Sequence, residues 1–146
     1  MTVVNPYLNF NGNTEEAFNF YKSIFGGEFR TVMRFKDNPQ CADMSDADKE
    51  RIMHIALPIG NNPVLMATDS LESLGQKLTV GNNFYICLSP DSKEEADRLF
   101  NELSADGKVE MPIQDMFWGS YWGSPTDKFG DTWLFGVRAP ANRTEV

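Results

Sequence analysis

Two stretches of the chain place apolar residues at helical spacing behind an acidic start. In the first stretch, Glu15 and Glu16 precede an apolar stripe made of Ala17, Phe20, Tyr21, Ile24 and Phe25. In the second stretch, Glu94 and Glu95 precede the stripe Ala96, Leu99, Phe100 and Leu103. Residues three and four positions apart share one side of a helix, and acidic residues are favoured at its N-terminal end. Both stretches therefore predict amphipathic helices that need a sheet or a partner to cover one side.

Both predicted helices carry start and stop signals. Asn13 or Thr14 can cap the first helix, and Ser92 with Glu95 three residues later is a capping-box pattern. A residue pair that contains glycine ends each helix: Gly26-Gly27 ends the first and Asp106-Gly107 ends the second. The two halves of the chain thus repeat one local design.

The segments that flank the helices read as strands. In the first half they are residues 6–10, 28–35, 52–59 and 64–68, with a polar loop at 36–50. In the second half they are residues 84–88, 108–114, 115–123 and 131–138, after a polar linker at 70–80. Each half is therefore strand, helix, strand, strand, strand. Two helices alone could match by chance, but the matching flanks favour an internal duplication.

The duplication predicts an α+β fold. We expect two βαβββ modules, at about residues 4–69 and 82–138, within one domain that spans residues 1–146. One such module cannot bury its sheet alone, whereas two modules can form a cupped mixed sheet with the helices outside.

Composition and charge exclude several classes of function. The net charge is −8, with 21 acidic against 13 basic residues, so a nucleic-acid backbone would be repelled. No stretch is long and apolar enough for a membrane span or a signal peptide. Cys41 and Cys87 show no metal or disulfide spacing, which is typical of free thiols in a reducing compartment. We therefore expect a cytoplasmic protein with no nucleic-acid or membrane partner.

Four motifs together resemble one family. They are PYLNF followed by GN near the N-terminus, EEAFNFYKSIFGGE at 15–28, IMHIALPIG followed by VLMATD, and DKFGDTW at 127–133. This set is similar to the glyoxalase/bleomycin-resistance/dioxygenase superfamily, also called vicinal oxygen chelate, and within it to the PhnB-like branch labelled 3-demethylubiquinone 3-methyltransferase-like. The resemblance implies paired βαβββ modules, a cupped sheet and a homodimer. Lys128 stands where the family has proline.

The resemblance also implies a divalent metal in the cup, held by His, Gln or Glu on the first and last strands of each module. These strands offer no such set here, so the familiar ligands are absent. The candidates that remain for a non-standard site are His54, Asp69 and Gln114. The methyltransferase label is not supported either, because no glycine-rich turn leads from a strand into a helix.

Two polar residues in the predicted sheet leave alternatives open. His54 is the only histidine, and it is either a core imidazole satisfied by one hydrogen bond or an acid, base or ligand in the cup wall. Asp69 ends a strand, where it either binds a ligand or caps the following segment. Asp127 is predicted to form an Asx-type turn in which Gly130 is left-handed.

The densest aromatic segment is DMFWGSYWGSPTDKFG at 115–130. If residues 117–122 are extended, Trp118 and Trp122 point to one face and Phe117 and Tyr121 to the other. One pair then packs under a helix, and the other lines the cup or a dimer interface. Aromatic rings with polar tips suit planar or amphipathic ligands.

Three functions remain. The first is a small-molecule-binding protein with an aromatic-lined pocket, whose ligand-binding residues are His54, Asp69, Trp118, Trp122, Tyr121 and Phe117. The alternative is a divalent-metal-dependent lyase, isomerase or dioxygenase with non-standard ligands. The third is a dimeric scaffold without a ligand. The sequence shows no nucleophile motif. Whether the protein is an enzyme stays open, and the identity of any cofactor stays open too.

Overall fold

A computed structural model describes residues 2–138. The chain divides between Thr79 and Val80 into two units, and each unit contains one four-stranded sheet. The first unit is built, in chain order, from β1 (Tyr7–Phe10), α1 (Thr14–Phe25), β2 (Thr31–Arg34), α2 (Asp46–Lys49), β3 (Ile52–Pro58) and β4 (Val64–Asp69). The second unit is built from β5 (Ile86–Leu88), α3 (Lys93–Ser104), β6 (Lys108–Asp115), β7 (Ser120–Thr126) and β8 (Trp133–Arg138).

The two sheets have the same topology. The strand order is β1-β4-β3-β2 in the first and β5-β8-β7-β6 in the second. In each sheet the first and last strands pair in parallel, while the other neighbours are antiparallel. Both units therefore share one mixed βαβββ architecture, and the predicted α+β fold is confirmed.

Helix α1 covers one face of the first sheet. The cross-strand row Leu8, Ala67 and Ile55 lies buried on that face. The helix buries Thr14, Ala17, Phe18, Tyr21 and Ile24. The predicted stripe was wrong in part, because Phe18 is fully buried whereas Phe20 and Phe25 are only partly covered. Phe18 lies one residue after Ala17 and three before Tyr21, so it fits the same helical side. Its ring meets Phe10 and Tyr21 edge-on.

Helix α3 covers the equivalent face of the second sheet. It buries the four predicted residues Ala96, Leu99, Phe100 and Leu103. The ring of Phe100 packs edge-on against that of Phe135 in β8. The Ser92 hydroxyl accepts the Glu95 amide at 3.1 Å and caps the helix as predicted. The carboxylate of Glu95 bonds instead to Arg98, so the reciprocal half of a capping box is replaced by an ion pair along the helix.

One predicted strand was wrong in its bounds. Residues 115–123 are not continuous, because the chain turns over at Met116–Gly119 before β7 begins at Ser120. The Met116 amide donates to the Ser120 carbonyl at 2.8 Å, and the Gly119 amide donates to the Met116 carbonyl at 3.0 Å. Gly119 has a φ of 93°, which a glycine adopts without steric strain. Strands β6 and β7 therefore form a hairpin whose tip carries Phe117 and Trp118.

Candidate functional site

The face of the first sheet opposite α1 carries the predicted histidine. A row of paired residues crosses this face through Tyr7, Met66, Ala56 and Thr31. Two residues before Ala56 on β3 lies His54, which pairs with Met33 of β2. We call this surface the His54 face. Its side chains are mixed in polarity, whereas the row Leu8, Ala67 and Ile55 on the α1 face is apolar. Successive side chains of a strand point to opposite faces, which explains the difference.

His54 contacts a tyrosine from a different strand. The Tyr7 hydroxyl lies 3.1 Å from His54 Nδ1, and the two rings stack with centroids 5.7 Å apart. Burial raises the pKa of the Tyr7 phenol, so the phenol keeps its proton and can donate it in this hydrogen bond. An imidazole that accepts at Nδ1 carries its own proton on Nε2. In the tautomer that accepts from the phenol, His54 presents an N–H donor on the side away from Tyr7, and the residue is neither buried nor fully exposed.

Asp69 joins three elements of the first unit. Its Oδ1 accepts the Thr14 amide at 3.0 Å and the Thr14 hydroxyl at 2.6 Å, and its Oδ2 accepts the Ile52 amide at 2.8 Å. The side chain is only 2% exposed. A carboxylate at the first turn of a helix satisfies free amides and interacts favourably with the helix dipole. Asp69 thus caps α1 from the end of β4, while the side chain of Asn13 makes no cap bond. The sequence left two roles open for Asp69, binding a ligand or capping the segment that follows it. Instead, Asp69 caps a helix that precedes it in the chain.

The face of the second sheet opposite α3 carries Trp122. A row of paired residues on this face runs through Gln114, Trp122 and Gly136. Gly136 leaves space for the indole, because a Cβ there would lie 3.2 Å from Trp122 Cζ3. We call this surface the Trp122 face. Gln114 is exposed beside the indole.

The hairpin tip brings a second indole to Trp122. The rings of Trp118 and Trp122 lie 5.7 Å apart at an interplanar angle of 81°, and we call this pair the indole corner. Trp118 is 45% exposed. The prediction that these two residues share one side agrees with this contact, although the chain between them turns rather than running extended.

The other aromatic pair of the prediction is split. Tyr121 lies on the α3 side, where its hydroxyl donates to the Asp97 carboxylate at 2.6 Å. This bond raises the pKa of Tyr121 to about 12, with smaller contributions from burial and from the charges of Asp97 and Asp115. Phe117 does not share that side, because it sits at the hairpin tip, is 98% exposed and meets the Trp118 ring edge-on.

The turn of the DKFGDTW motif holds a buried carboxylate. Asp127 Oδ1 accepts the amides of Phe129 and Asp131, at 2.8 and 3.1 Å, and Oδ2 accepts the indole N–H of Trp133 at 2.8 Å. Gly130 has a φ of 93°. The predicted Asx turn is confirmed, and the motif's aspartate and tryptophan are structural partners in the second unit.

The residues proposed as metal ligands do not form a ligand set. Within residues 2–138, no three His, Cys, Asp or Glu side chains lie close enough together to hold a metal ion. Both oxygens of Asp69 already bond to backbone amides. The donors present here therefore do not fit the divalent metal that the family resemblance implies.

A cavity of about 260 Å³ lies beside the N-terminus of α1. It is lined by Gly12, Glu15, Ala47, Glu50, Arg51, Ile52 and Asp69. Its carboxylates have partners within the unit, since Arg34 binds Glu15 through both of its terminal nitrogens and Lys36 binds Glu50. The Arg51 guanidinium donates to the Gly12 carbonyl oxygen. The polar groups that line this cavity therefore hold the loops of the first unit together.

In the described part of the chain, no helix has the length and apolar character needed to cross a membrane.

Comparisons with known proteins agree with this architecture. The family model described as the Glyoxalase/Bleomycin resistance protein/Dioxygenase superfamily matches residues 4–135. Protein YjdN of Escherichia coli (strain K12) is 32% identical over 142 residues, which cover 92% of this chain and 94% of YjdN.

Two solved structures are also similar. Protein PA1353 from Pseudomonas aeruginosa has 37% sequence identity and a TM-score of 0.83, over 94% of this chain and 98% of that one. A PhnB protein from Bacillus cereus has 23% identity and a TM-score of 0.75, over 93% of this chain and 99% of that one, and it shares the fold.

Proposed function

Because the chain belongs to the glyoxalase/bleomycin resistance protein/dioxygenase superfamily, we propose that it is a small-molecule-binding protein whose ligand contacts the indole corner. The observation that carries the proposal is the meeting of Trp118 and Trp122 at a right angle, with Trp118 45% exposed. Large aromatic side chains usually bury most of their surface, and a partly exposed pair bordered by a glycine offers apolar area to a ligand.

His54 supplies a polar group on the first unit. With Tyr7 donating to Nδ1, the Nε2–H can donate to an acceptor on a ligand. Sites for small molecules combine apolar walls with a few placed polar groups, and the His54 face offers such a group next to Met33 and Met66. We include His54 among the proposed ligand-binding residues, and we leave Asp69 out because its oxygens are occupied.

The experiment is a thermal-shift screen with aromatic, amphipathic and phosphonate ligands. A ligand that binds only the folded protein raises Tm by an amount that grows with the logarithm of its concentration above Kd. We expect at least one ligand class to raise the Tm of the parent and to lose that effect in Trp118→Leu. The control is Phe84→Leu, which truncates another exposed aromatic residue of the second unit. If every hit stabilises Trp118→Leu as strongly as the parent, the indole corner is not the binding site.

An enzyme is the second candidate, and one observation favours it. The hydrogen bond between Tyr7 and Nδ1 orients His54, and an oriented imidazole can act as a general base. Such an enzyme would use the tautomer whose Nδ1–H donates to the Tyr7 oxygen, which leaves Nε2 free to accept a proton from a substrate without a metal. Elemental analysis tests the metal-dependent form: we expect substoichiometric divalent metal that does not change in His54→Ala. One metal per chain, lost in that variant, would instead favour the metalloenzyme.

The proposal includes a homodimer in the cytoplasm. Large side chains of the second unit outside the indole corner are exposed in the single chain, namely Val80, Tyr85 and Val109. A self-associating protein commonly covers such residues. The free cysteines Cys41 and Cys87 favour a reducing compartment. Sedimentation equilibrium that returns the mass of one chain across micromolar concentrations would rule out the dimer.

A further inference from the structure

The segment that joins β1 to α1 contains Asn11-Gly12, the only asparagine–glycine pair of the sequence. The backbone nitrogen that follows an asparagine can attack the carbonyl carbon of its side chain, and a side chain on the following residue hinders this approach. Glycine has no Cβ and leaves the approach open. Every other asparagine is followed by a residue with a side chain. The sequence therefore offers one place where an asparagine reacts readily with its own backbone.

The structure leaves both reacting groups of this pair free. Asn11 is exposed, and the chain bends at Asn11 and Gly12. Among the described residues, the Asn11 side chain has no hydrogen-bond partner, and the Gly12 amide donates to none. The only aspartate–glycine pair, Asp106-Gly107, differs in this respect, because its glycine amide donates to the Ser104 carbonyl at 2.9 Å. The attacking nitrogen is therefore available at Gly12 and engaged at Gly107.

We propose that Asn11 is a site of spontaneous deamidation. The Gly12 nitrogen loses its proton and forms a bond to Asn11 Cγ, and the side-chain nitrogen leaves as ammonia, which closes a succinimide ring. Water then adds to one of the two ring carbonyl carbons and breaks its bond to the Gly12 nitrogen. One opening gives aspartate, and the other gives isoaspartate, whose main chain runs through the former side chain. The reaction consumes one water, releases one ammonia and needs no other reactant.

The isoaspartate product lengthens the main chain by one carbon between two fixed elements. On one side, β1 is held by its parallel pairing with β4. On the other side, the Gly12 carbonyl accepts the Arg51 guanidinium, and the Thr14 amide donates to Asp69 Oδ1 at 3.0 Å. An additional carbon shifts at least one of these anchors. The change therefore reaches both the cap of α1 and the strand that carries Tyr7, the partner of His54. The inference does not rest on the proposed function, because it involves no ligand.

Ageing of the full chain at mildly alkaline pH tests the reaction. Peptide mapping by mass spectrometry, with fragmentation that separates aspartate from isoaspartate, follows each asparagine. We expect Asn11 to convert about tenfold faster than any other asparagine, which corresponds to a barrier lower by about 1.4 kcal/mol. The rate should rise with pH, because the Gly12 nitrogen must lose its proton. Asn61 is the internal control, since it is exposed in the turn between β3 and β4 but is followed by Asn62. Conversion of Asn11 no faster than that of Asn61 would overturn the proposal.

Two variants separate the chemistry from its consequence. Asn11→Gln keeps a side-chain amide but would have to close a larger ring, so it should stay unmodified under the same conditions. Asn11→Asp supplies the new charge without the additional main-chain carbon, so the freshly purified variant should melt no lower than the parent. The aged parent should melt at a lower temperature as its isoaspartate content rises. An aged parent with high isoaspartate content and an unchanged Tm would show that the anchors do not constrain this segment. A loss of Tm in Asn11→Asp as large as that of the aged parent would assign the effect to charge instead.

Discussion

The carboxylate of Asp127 accepts the indole N–H of Trp133 at 2.8 Å, in a site where both side chains are buried. These residues begin and end the DKFGDTW motif, one of the four stretches that carry the family resemblance. The motif therefore encodes a turn that is closed by its own tryptophan.

The first prediction concerns this turn. We expect Asp127→Ala to lower the free energy of unfolding by about 2 to 4 kcal/mol, because the indole and two turn amides lose their charged acceptor. Trp133→Phe keeps most of the packing but removes the N–H. In a double-mutant cycle measured by urea unfolding, we expect a coupling of about 1 to 2 kcal/mol between the two changes. Strictly additive effects would contradict the bond. Asp106→Asn removes a carboxylate charge at an exposed position with left-handed backbone, so it is the control for the loss of charge alone.

The second prediction concerns Asp69. Asp69→Ala removes an acceptor shared by the Thr14 hydroxyl and two buried amides, so we expect a loss of about 3 kcal/mol in chemical denaturation. Asp69→Asn should cost less, since one oxygen still accepts while the amide nitrogen faces a donor. Glu28→Gln removes an exposed ion pair with Lys22 and should change stability by less than about 1 kcal/mol. A cost for Asp69→Ala as small as that of Glu28→Gln would disprove the capping role.

The third prediction concerns pH. The hydrogen bond to Asp97 raises the pKa of Tyr121 from 10.0 to about 12, so the folded state favours the protonated phenol. Its contribution to stability is complete below the unfolded pKa near 10.0 and is lost as the pH rises through about 12. We therefore expect the Tm difference between the parent and Tyr121→Phe to be constant up to the unfolded pKa and to shrink above it. Asp97→Asn should abolish most of this pH dependence, whereas a difference that grows with pH would have the wrong sign.

The fourth prediction concerns two glycines of the second sheet. A Cβ on Gly123 would lie 2.6 Å from the Cα of Ile113, which is backbone of the paired strand and cannot move alone. A Cβ on Gly136 would lie 3.2 Å from the edge of the Trp122 ring, which can shift by a few tenths of an ångström. We expect Gly123→Ala to cost about 2 kcal/mol or more, and Gly136→Ala about 1 kcal/mol or less. Thermal unfolding measures both, and the reverse order would contradict the close approach of β6 and β7.

A change in the indole corner should accompany Gly136→Ala. Because the added methyl group pushes on Trp122, the fluorescence emission of the variant should shift relative to the parent. Gly81→Ala, at a position where a Cβ meets nothing within 4 Å, is the control and should leave the emission unchanged.

Local sequence signals predicted most of the fold. Helix α3 buries the residues that its spacing indicated, because the stripe and the Ser92 cap agree. The strand at residues 115–123 was wrong because aromatic residues favour a strand, whereas Gly119 allows a reversal that residue composition does not specify. The burial of Phe18 in place of the predicted Phe20 also depends on more than composition. Both residues are apolar, and only the position of the sheet decides which of them is covered.

The candidate site was harder to predict than the fold. The bond from Asp69 to Thr14 joins residues that are 55 positions apart, and the contact from Tyr7 to His54 spans 47 positions. No local pattern encodes such distances, so the capping aspartate and the partner of the histidine follow only from strand pairing. Tyr7 could have been suspected from its place in the PYLNF motif. The separation of Tyr121 from the indole corner depends on the turn that composition did not indicate.

In each unit the strand that is synthesised first pairs only with the strand that is synthesised last. On the ribosome, β1 therefore has no neighbour until β4 has left the exit tunnel, and α1 lacks the carboxylate that caps it for as long. The nascent first unit must wait for Asp69, the last residue of β4, and then gains its edge strand and its helix cap together.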